Sequence, residues 1–381
     1  MRCFPKRALA LVGFLLPTLL QGKGTRLRLT RGIQPEVELS VRLETEQALK
    51  KGFQWLEAHQ NEDGSWSQPE LPGITALALT SFFRSPDYDA ALPLPPPWRK
   101  GFHFVLSRQQ PDGGIYVKGY SNYNTCLAIM ALAASGRPDA REPLTKAQRF
   151  VASLQDETGG IGYGGSERRD LNNTTYAIEA LREARDALKD TGQTAKVNWD
   201  LAISFLGRCQ HLPGKNPEPW VSDDKENRGG FVYRPGESKA GTVEGENGLA
   251  IPRSYGSISY AGLLSLLYAD VDRDDPRVQA AVKWLQRHYT LEENPGLGQQ
   301  SLFYYYHTMA KALTAYRMGY LETEDGEIIH WREALLERLL SLQKEDGRWV
   351  NENARWMEND PSLVTSYTLL SMEMLLKAEG H

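Results

Sequence analysis

Apolar residues recur at helical spacing along most of this chain, in two densities that alternate. One kind of segment is amphipathic, with apolar positions such as Phe53, Trp55 and Leu56, or Val282, Trp284 and Leu285. The other is richer in small and apolar residues: Ile74 to Phe83, Asn122 to Ala134, Asn173 to Ala184, Tyr255 to Tyr268, Tyr304 to Tyr316 and Leu363 to Leu375. A helix with one apolar stripe must bury that stripe, and a helix that is apolar all round must be enclosed. The alternation therefore predicts an outer ring of helices around an inner ring.

The joint between the two kinds also repeats. An amphipathic segment ends in Gln, an Asp-Gly or Gly-Gly turn follows, and then an aromatic residue: KGFQWLEAHQNEDGSW (Lys51 to Trp66), KGFHFVLSRQQPDGGIY (Lys100 to Tyr116), RFVASLQDETGGIGY (Arg149 to Tyr163) and LLSLQKEDGRW (Leu339 to Trp349). Anchors at Gln60, Gln109, Gln155, Gln210, Tyr289 and Gln343 lie about 50 residues apart, save one interval of about 80. Six helix pairs result. Gly supplies the positive backbone angle that ends a helix, Asp closes the turn onto backbone N–H groups, and the aromatic plugs the seam between pairs. The Gln amide can tie the turn to an adjacent helix end. The long interval holds a Gly- and Pro-rich insertion, His211 to Pro252, of the kind that sits over one face of a repeat fold and shapes a site.

The pattern Lys51-Gly52, Trp55-Leu56, Gln60, Gly64, Trp66, echoed by Gln343, Gly347 and Trp349, resembles the QW motif of squalene–hopene and oxidosqualene cyclases. The resemblance covers roughly Leu43 to Leu376. Those enzymes and the protein prenyltransferase β subunits share an α/α toroid of six helix pairs, so the resemblance implies an all-α toroid here. Overall the chain looks most like bacterial prenyltransferase/squalene oxidase repeat proteins.

The same resemblance points to candidate chemistry. Cyclases protonate an alkene with an acid in a DxDD motif at the start of an inner helix. Asp170-Leu171-Asn172-Asn173-Thr174 is similarly placed, with Asn at the second and third acid positions, which makes Asp170 the candidate acid and Asn173 its partner. The competing reading is a helix N-terminus closed by Asn and Thr side chains. Asp272-Arg273-Asp274-Asp275 carries the same letters but precedes Pro276 and an outer helix, as a capping turn would. Phe303-Tyr304-Tyr305-Tyr306-His307-Thr308 is similar to the segment that supplies the zinc-binding His of the prenyltransferases. Tyr255 and Ser257 stand where the companion Asp and Cys should be, so no metal is expected. His307 remains a candidate to bind or protonate something inside the ring, among Tyr123, Tyr255, Tyr260, Tyr304, Tyr305 and Tyr306. Aromatic faces can stabilise carbocations or line a slot for an isoprenoid tail. The structural alternative for His307 and these rings is packing.

The net charge of -4 leaves no basic surface for phosphates, so nucleic acid is not an expected partner. No P-loop or dinucleotide-binding fingerprint occurs, and no cofactor is expected. Cys3, Cys126 and Cys209 form neither a CxxC pair nor a disulfide framework. Arg2, Lys6 and Arg7 followed by the apolar run Ala8 to Leu20 look like a signal peptide or N-terminal anchor over 1–22, then a connector over 23–41 and the toroid over 42–381. Export to the periplasm or another extracytoplasmic space follows, with a membrane surface as a candidate partner. The leading expectation is thus an exported isoprenoid-handling enzyme whose ligand is an isoprenoid or other apolar small molecule. Two alternatives stay open: a non-catalytic toroid that binds a ligand or partner, and a carbohydrate lyase or hydrolase using carboxylates such as Glu244, Glu246 and Asp360.

Overall fold

The computed structural model describes residues 35–164, 168–245 and 248–377. The stretch read from sequence as a signal peptide or anchor, 1–22, lies outside the described residues, as does Glu246. Among the described residues twelve α-helices alternate between the rings. The outer helices are α1 (Leu39–Ala58), α3 (Pro96–Ser107), α5 (Arg141–Ser153), α7 (Trp199–Arg208), α9 (Pro276–Arg287) and α11 (Trp331–Ser341). The inner helices are α2 (Pro72–Arg84), α4 (Ser121–Ser135), α6 (Leu171–Ala187), α8 (Gly256–Tyr268), α10 (Leu302–Tyr316) and α12 (Pro361–Lys377). Helix α1 starts at Leu39, inside the segment read from sequence as connector.

The inner helices pack in chain order, α2 on α4, α4 on α6, α6 on α8, α8 on α10 and α10 on α12, and α12 packs back on α2. The ring is closed. In α8 every residue from Gly256 to Leu266 is buried, and in α10 every residue from Leu302 to Leu313, because outer helices cover one side and the hub the other. Outer helices bury one stripe only, as in α5 with Leu144, Ala147 and Val151 inside.

The joints explain the repeat. Each anchoring Gln amide donates to the turn glycine four residues on and to a backbone carbonyl at the next outer helix. Gln60 reaches Gly64 and Pro97 (2.9 and 2.7 Å), Gln109 reaches Gly113 and Pro143 (3.0 and 2.9 Å), and Gln155 reaches Gly159 and Asn198 (3.2 and 3.0 Å). Gln210 does the same with Gly229 and Arg277 across the insertion (3.0 and 2.9 Å). Gln343 bonds Gly347 and Ala48, both at 2.9 Å, and so ties the last pair to the first helix. The turn glycines are irreplaceable on two counts: Gly229 has φ +93, and a Cβ there would lie 2.2 Å from the Ala280 carbonyl oxygen.

Two expectations about the joints need correction. Tyr289 is no staple, since its buried hydroxyl has no hydrogen-bond partner. The seam plugs of the second and third pairs are Ile115 and Ile161, not Tyr116 and Tyr163. Their backbone N–H groups donate to Thr125 and Thr174 on the inner helix (both 2.9 Å), as those of Trp66 and Trp349 do to Thr75 and Thr365 (both 3.0 Å). Phe231 fills the place in the fourth pair by donating to Ser259 (3.0 Å). The position needs bulk six residues after Gln, and aromaticity is optional.

Two small antiparallel hairpins complete the body. β1 (Thr242–Glu244) pairs with β2 (Ala250–Pro252) in the insertion, and β3 (Leu321–Glu322) with β4 (Ile328–Ile329). At the ring closure the buried Arg332 guanidinium donates to the carbonyls of both Pro35 and Leu375. Among the described residues no helix is long and apolar enough to cross a membrane.

Candidate functional site

The N-terminal ends of the inner helices surround a chamber of about 420 Å³. Tyrosines from four of those helices face one another in its aromatic lining: Tyr123 (α4), Tyr176 (α6), Tyr304 (α10) and Tyr367 (α12). The Tyr176 and Tyr123 rings meet edge to face at 5.1 Å, and Tyr304 lies 6.1 Å from Tyr176 and 5.9 Å from Tyr367. The hydroxyls of Tyr123 and Tyr176 converge on that of Tyr367 (3.5 and 3.2 Å), and Tyr304 donates to Asn172 (2.8 Å). Burial holds all four phenols well above their usual pKa range, so they stay neutral and act as donors. Tyr120 and Trp356 line the mouth, 54% and 40% exposed, both on left-handed backbone (φ +46 and +52). The insertion adds Tyr233 and Lys239, whose Nζ sits 4.0 Å from the centre of the Tyr233 ring.

Of the residues expected from sequence, Tyr123, Asn173, Tyr255 and Tyr304 line this chamber. Asp170 is buried but turned into its own helix. It caps α6 by accepting from the Asn173 backbone N–H and side-chain amide, both at 2.8 Å, so that Asn173 stands in front of it. Burial raises its pKa, against the lowering effect of the Asn173 bonds and the Tyr233 hydroxyl. His307 lies one turn deeper than Tyr304, beneath Tyr367 (ring centres 5.0 Å), with Nδ1 3.2 Å from Ser371 Oγ. Desolvation, reinforced by Lys311 and Arg84, depresses its pKa well below the ordinary value and keeps the ring neutral. Neither Asp170 nor His307 is part of the lining.

Tyr305 and Tyr306 point away from the chamber. Their hydroxyls donate to the carbonyls of Thr290 (2.8 Å) and Leu291, and Tyr260 packs edge-on against Tyr305 at 5.6 Å. Asp275 caps α9 by accepting from the Arg277 N–H (2.8 Å), as its place in the chain suggested. Asp360 likewise caps α12 through Ser362 and Leu363 (2.9 and 3.2 Å), and Glu244 sits exposed on β1.

Sequence reading passed over Tyr163, Tyr176, Tyr233, Lys239, Glu358 and Tyr367, all in the lining. Tyr176 could have been found, since it follows Asn173 by three positions on a helix already placed at the site. Glu358 is the one carboxylate among the described lining residues. It accepts from the N–H groups of Phe303 and Tyr304 (3.2 and 2.7 Å) and from the Asn351 amide (2.7 Å), which fastens the last loop to the start of α10.

Deeper in the ring lies a polar layer. Lys311 of α10 pairs with Glu179 of α6, their side chains 6% and 2% exposed. Glu373 of α12 is buried with no hydrogen-bond partner at either carboxylate oxygen, and desolvation pushes its pKa up to about 8. Among the described residues no cluster of three His, Cys, Asp or Glu is arranged to hold a metal ion.

The insertion is clasped by His211. Its Nε2 donates to the Pro252 carbonyl (2.7 Å) and its Nδ1 accepts from the Ser222 N–H (2.9 Å), a pattern that only the neutral ring satisfies. Burial lowers its pKa to about 4. The unfolded chain therefore binds the proton more readily, and the contribution of His211 to stability is complete above pH 6.5 and is lost as pH falls from there towards 4. The expected loss reaches up to about 3 kcal/mol at the acid end of that window. Urea unfolding at pH 7 and pH 5 should register part of it, and His211→Phe should flatten the pH dependence; an unchanged slope in that variant would count against the clasp.

Six helix pairs closed end to end, with a chamber at the start of the inner helices, make this protein an α/α toroid. No protein-family profile matches the chain. It is 26% identical over 129 residues to the cycloartenol synthase of Dictyostelium discoideum, a stretch that is 31% of this chain and only 17% of that enzyme's length. Among solved structures it is similar to the type II terpene cyclase MstE from Scytonema in complex with geranylgeranyl dihydroxybenzoate, with a TM-score of 0.52 and 14% identity over 89% of this chain and 98% of that one. It is also similar to a GH76 α-mannanase of Bacteroides thetaiotaomicron, with a TM-score of 0.52 and 10% identity over 86% of this chain and 95% of that one. At these identities the structural likeness defines the fold and leaves the chemistry to the site.

Proposed function

We propose that the protein handles isoprenoids by binding a prenyl chain in the tyrosine-lined chamber. The observation that carries this reading is the ring of Tyr123, Tyr176, Tyr304 and Tyr367 around an accessible chamber of about 420 Å³. Their faces offer polarisable contact to a chain of double bonds, and their hydroxyls are largely engaged with one another. The cycloartenol synthase stretch and the MstE likeness support the ligand class. Export, suggested by the basic and apolar N-terminal stretch, belongs to the same proposal and would set the protein beside a membrane that supplies such ligands.

Binding, and not proton-initiated cyclisation, is the part of the activity that the geometry supports. Asp170 spends both carboxylate oxygens on its helix cap behind Asn173, so no strong acid faces the chamber from the expected place. The hydrolase reading lacks its chemistry, because glycoside hydrolysis uses a pair of carboxylates across the scissile bond and the described lining offers Glu358 alone.

The test is a titration of the purified protein with farnesol, geranylgeraniol and squalene, followed by intrinsic fluorescence, with mass spectrometry for products. Tyr304→Ala and Tyr367→Ala should each weaken binding about tenfold. Failure of all three compounds to bind would overturn the proposal. Cyclised products that disappear in Asp170→Asn would replace binding with catalysis.

A further inference from the structure

The insertion places a cation in the lining of the aromatic chamber. Lys239 and Tyr233 both line it, with the Lys239 Nζ over the Tyr233 ring. The segment that carries Lys239 is held in place: Arg234 and Glu237 close a turn (N–H to carbonyl, 3.2 Å), and the Arg253 N–H donates to the Gly241 carbonyl (3.0 Å). The nearest carboxylate, Glu237, is shared: its Oε1 accepts a long bond from the Lys239 Nζ (3.5 Å) and its Oε2 is taken by Arg234. Glu358, the carboxylate of the described lining, already accepts from three donors at the start of α10. Asp170, whose carboxyl feels the Lys239 charge, is committed to its cap. Lys239 is therefore an ammonium with three donors, only one of them spent, on a long contact to a carboxylate it shares with Arg234, beside an apolar slot.

We propose that Lys239 selects the ligand by its head group, so that the chamber takes a prenyl amphiphile with an acidic head, a carboxylate or a phosphate ester. This inference rests on the isoprenoid reading and adds to it the charge of the ligand. A compact ammonium satisfies either anion, and the pairing gains strength at a mouth where the surrounding aromatic rings thin the water. The chain of the amphiphile lies on the tyrosines while its head stays at the insertion.

Farnesol, farnesoic acid and farnesyl monophosphate share one chain and differ in the head. Titrated against the full protein at low salt, the acid and the phosphate should bind at least about tenfold more tightly than the alcohol, and the difference should shrink as salt is raised. Lys239→Met should bring both anions down to the affinity of the alcohol, while Lys239→Arg retains the preference. The relative affinities of acid and phosphate identify which head is the better fit. Binding of all three with equal affinity, or a preference that survives in Lys239→Met, overturns the role of Lys239 and leaves the isoprenoid reading standing. If none of the three binds, the isoprenoid reading falls and this inference falls with it.

Discussion

Replacing Lys311 with Met should cost about 3–5 kcal/mol of stability, among the largest effects of any single substitution in this protein. Lys311 and Glu179 project from α10 and α6 into the hub, and their side chains are almost completely withdrawn from water. Removing the ammonium leaves a carboxylate in a layer that already holds Glu373 without a partner. An ion pair so deep contributes little net stability, since desolvation offsets most of the attraction, but half of it is far worse than either the pair or none. The double variant Lys311→Met with Glu179→Leu should therefore recover most of the loss. Urea unfolding of the two single variants and the double one gives the answer. A Lys311→Met protein within 1 kcal/mol of the original, an expectation set by ordinary surface changes of about that size or less, would mean that water reaches Glu179.

Trp349→Ala should cost a comparable amount, about 3–5 kcal/mol, and its damage should appear at the other end of the chain. The indole is buried; its Nε1 donates to the Leu339 carbonyl (2.7 Å), and its ring lies against α1, where a Cβ on Gly52 would come within 2.9 Å of Cζ3. Trp66 makes the equivalent contact with Gly101 inside the ring, 2.6 Å from an added Cβ, and its Nε1 donates to Leu56 (2.8 Å). Both cavities should be expensive, but only the one at Trp349 undoes the closure of last pair on first helix. Hydrogen exchange should therefore show α1 losing protection in Trp349→Ala and not in Trp66→Ala. Loss confined to the neighbourhood of residue 349 would show that α1 is held by other contacts.

The fold was legible because its joints are local. Gln, a turn glycine and a bulky residue six positions after Gln occur together where α1, α3, α5 and α11 end, so Gln60, Gln109, Gln155 and Gln343 mark those pairs in the chain. The plugs were misread at Tyr116 and Tyr163 because an adjacent aromatic residue drew the eye from Ile115 and Ile161. Tyr289 was counted as an anchor only because the period demanded one there. The site was less legible, since depth along an inner helix separates lining from layer. Tyr304 and His307 are three residues apart, about 4.5 Å along the axis, and only the first reaches the chamber. Tyr367 lies in a helix buried along most of its length, and nothing in composition distinguishes it. Lys239 stands in the insertion, where no repeat predicts a position.

One guanidinium, that of Arg332, holds the carbonyls of Pro35 and Leu375, so the two ends of the described body are neighbours. The topology is then indifferent to where the polypeptide starts. A circular permutant that joins these ends through a short flexible linker and opens the exposed turn between α8 and α9, around Asp272, should fold to the same ring and keep the chamber, because no joint and no lining residue lies at that cut.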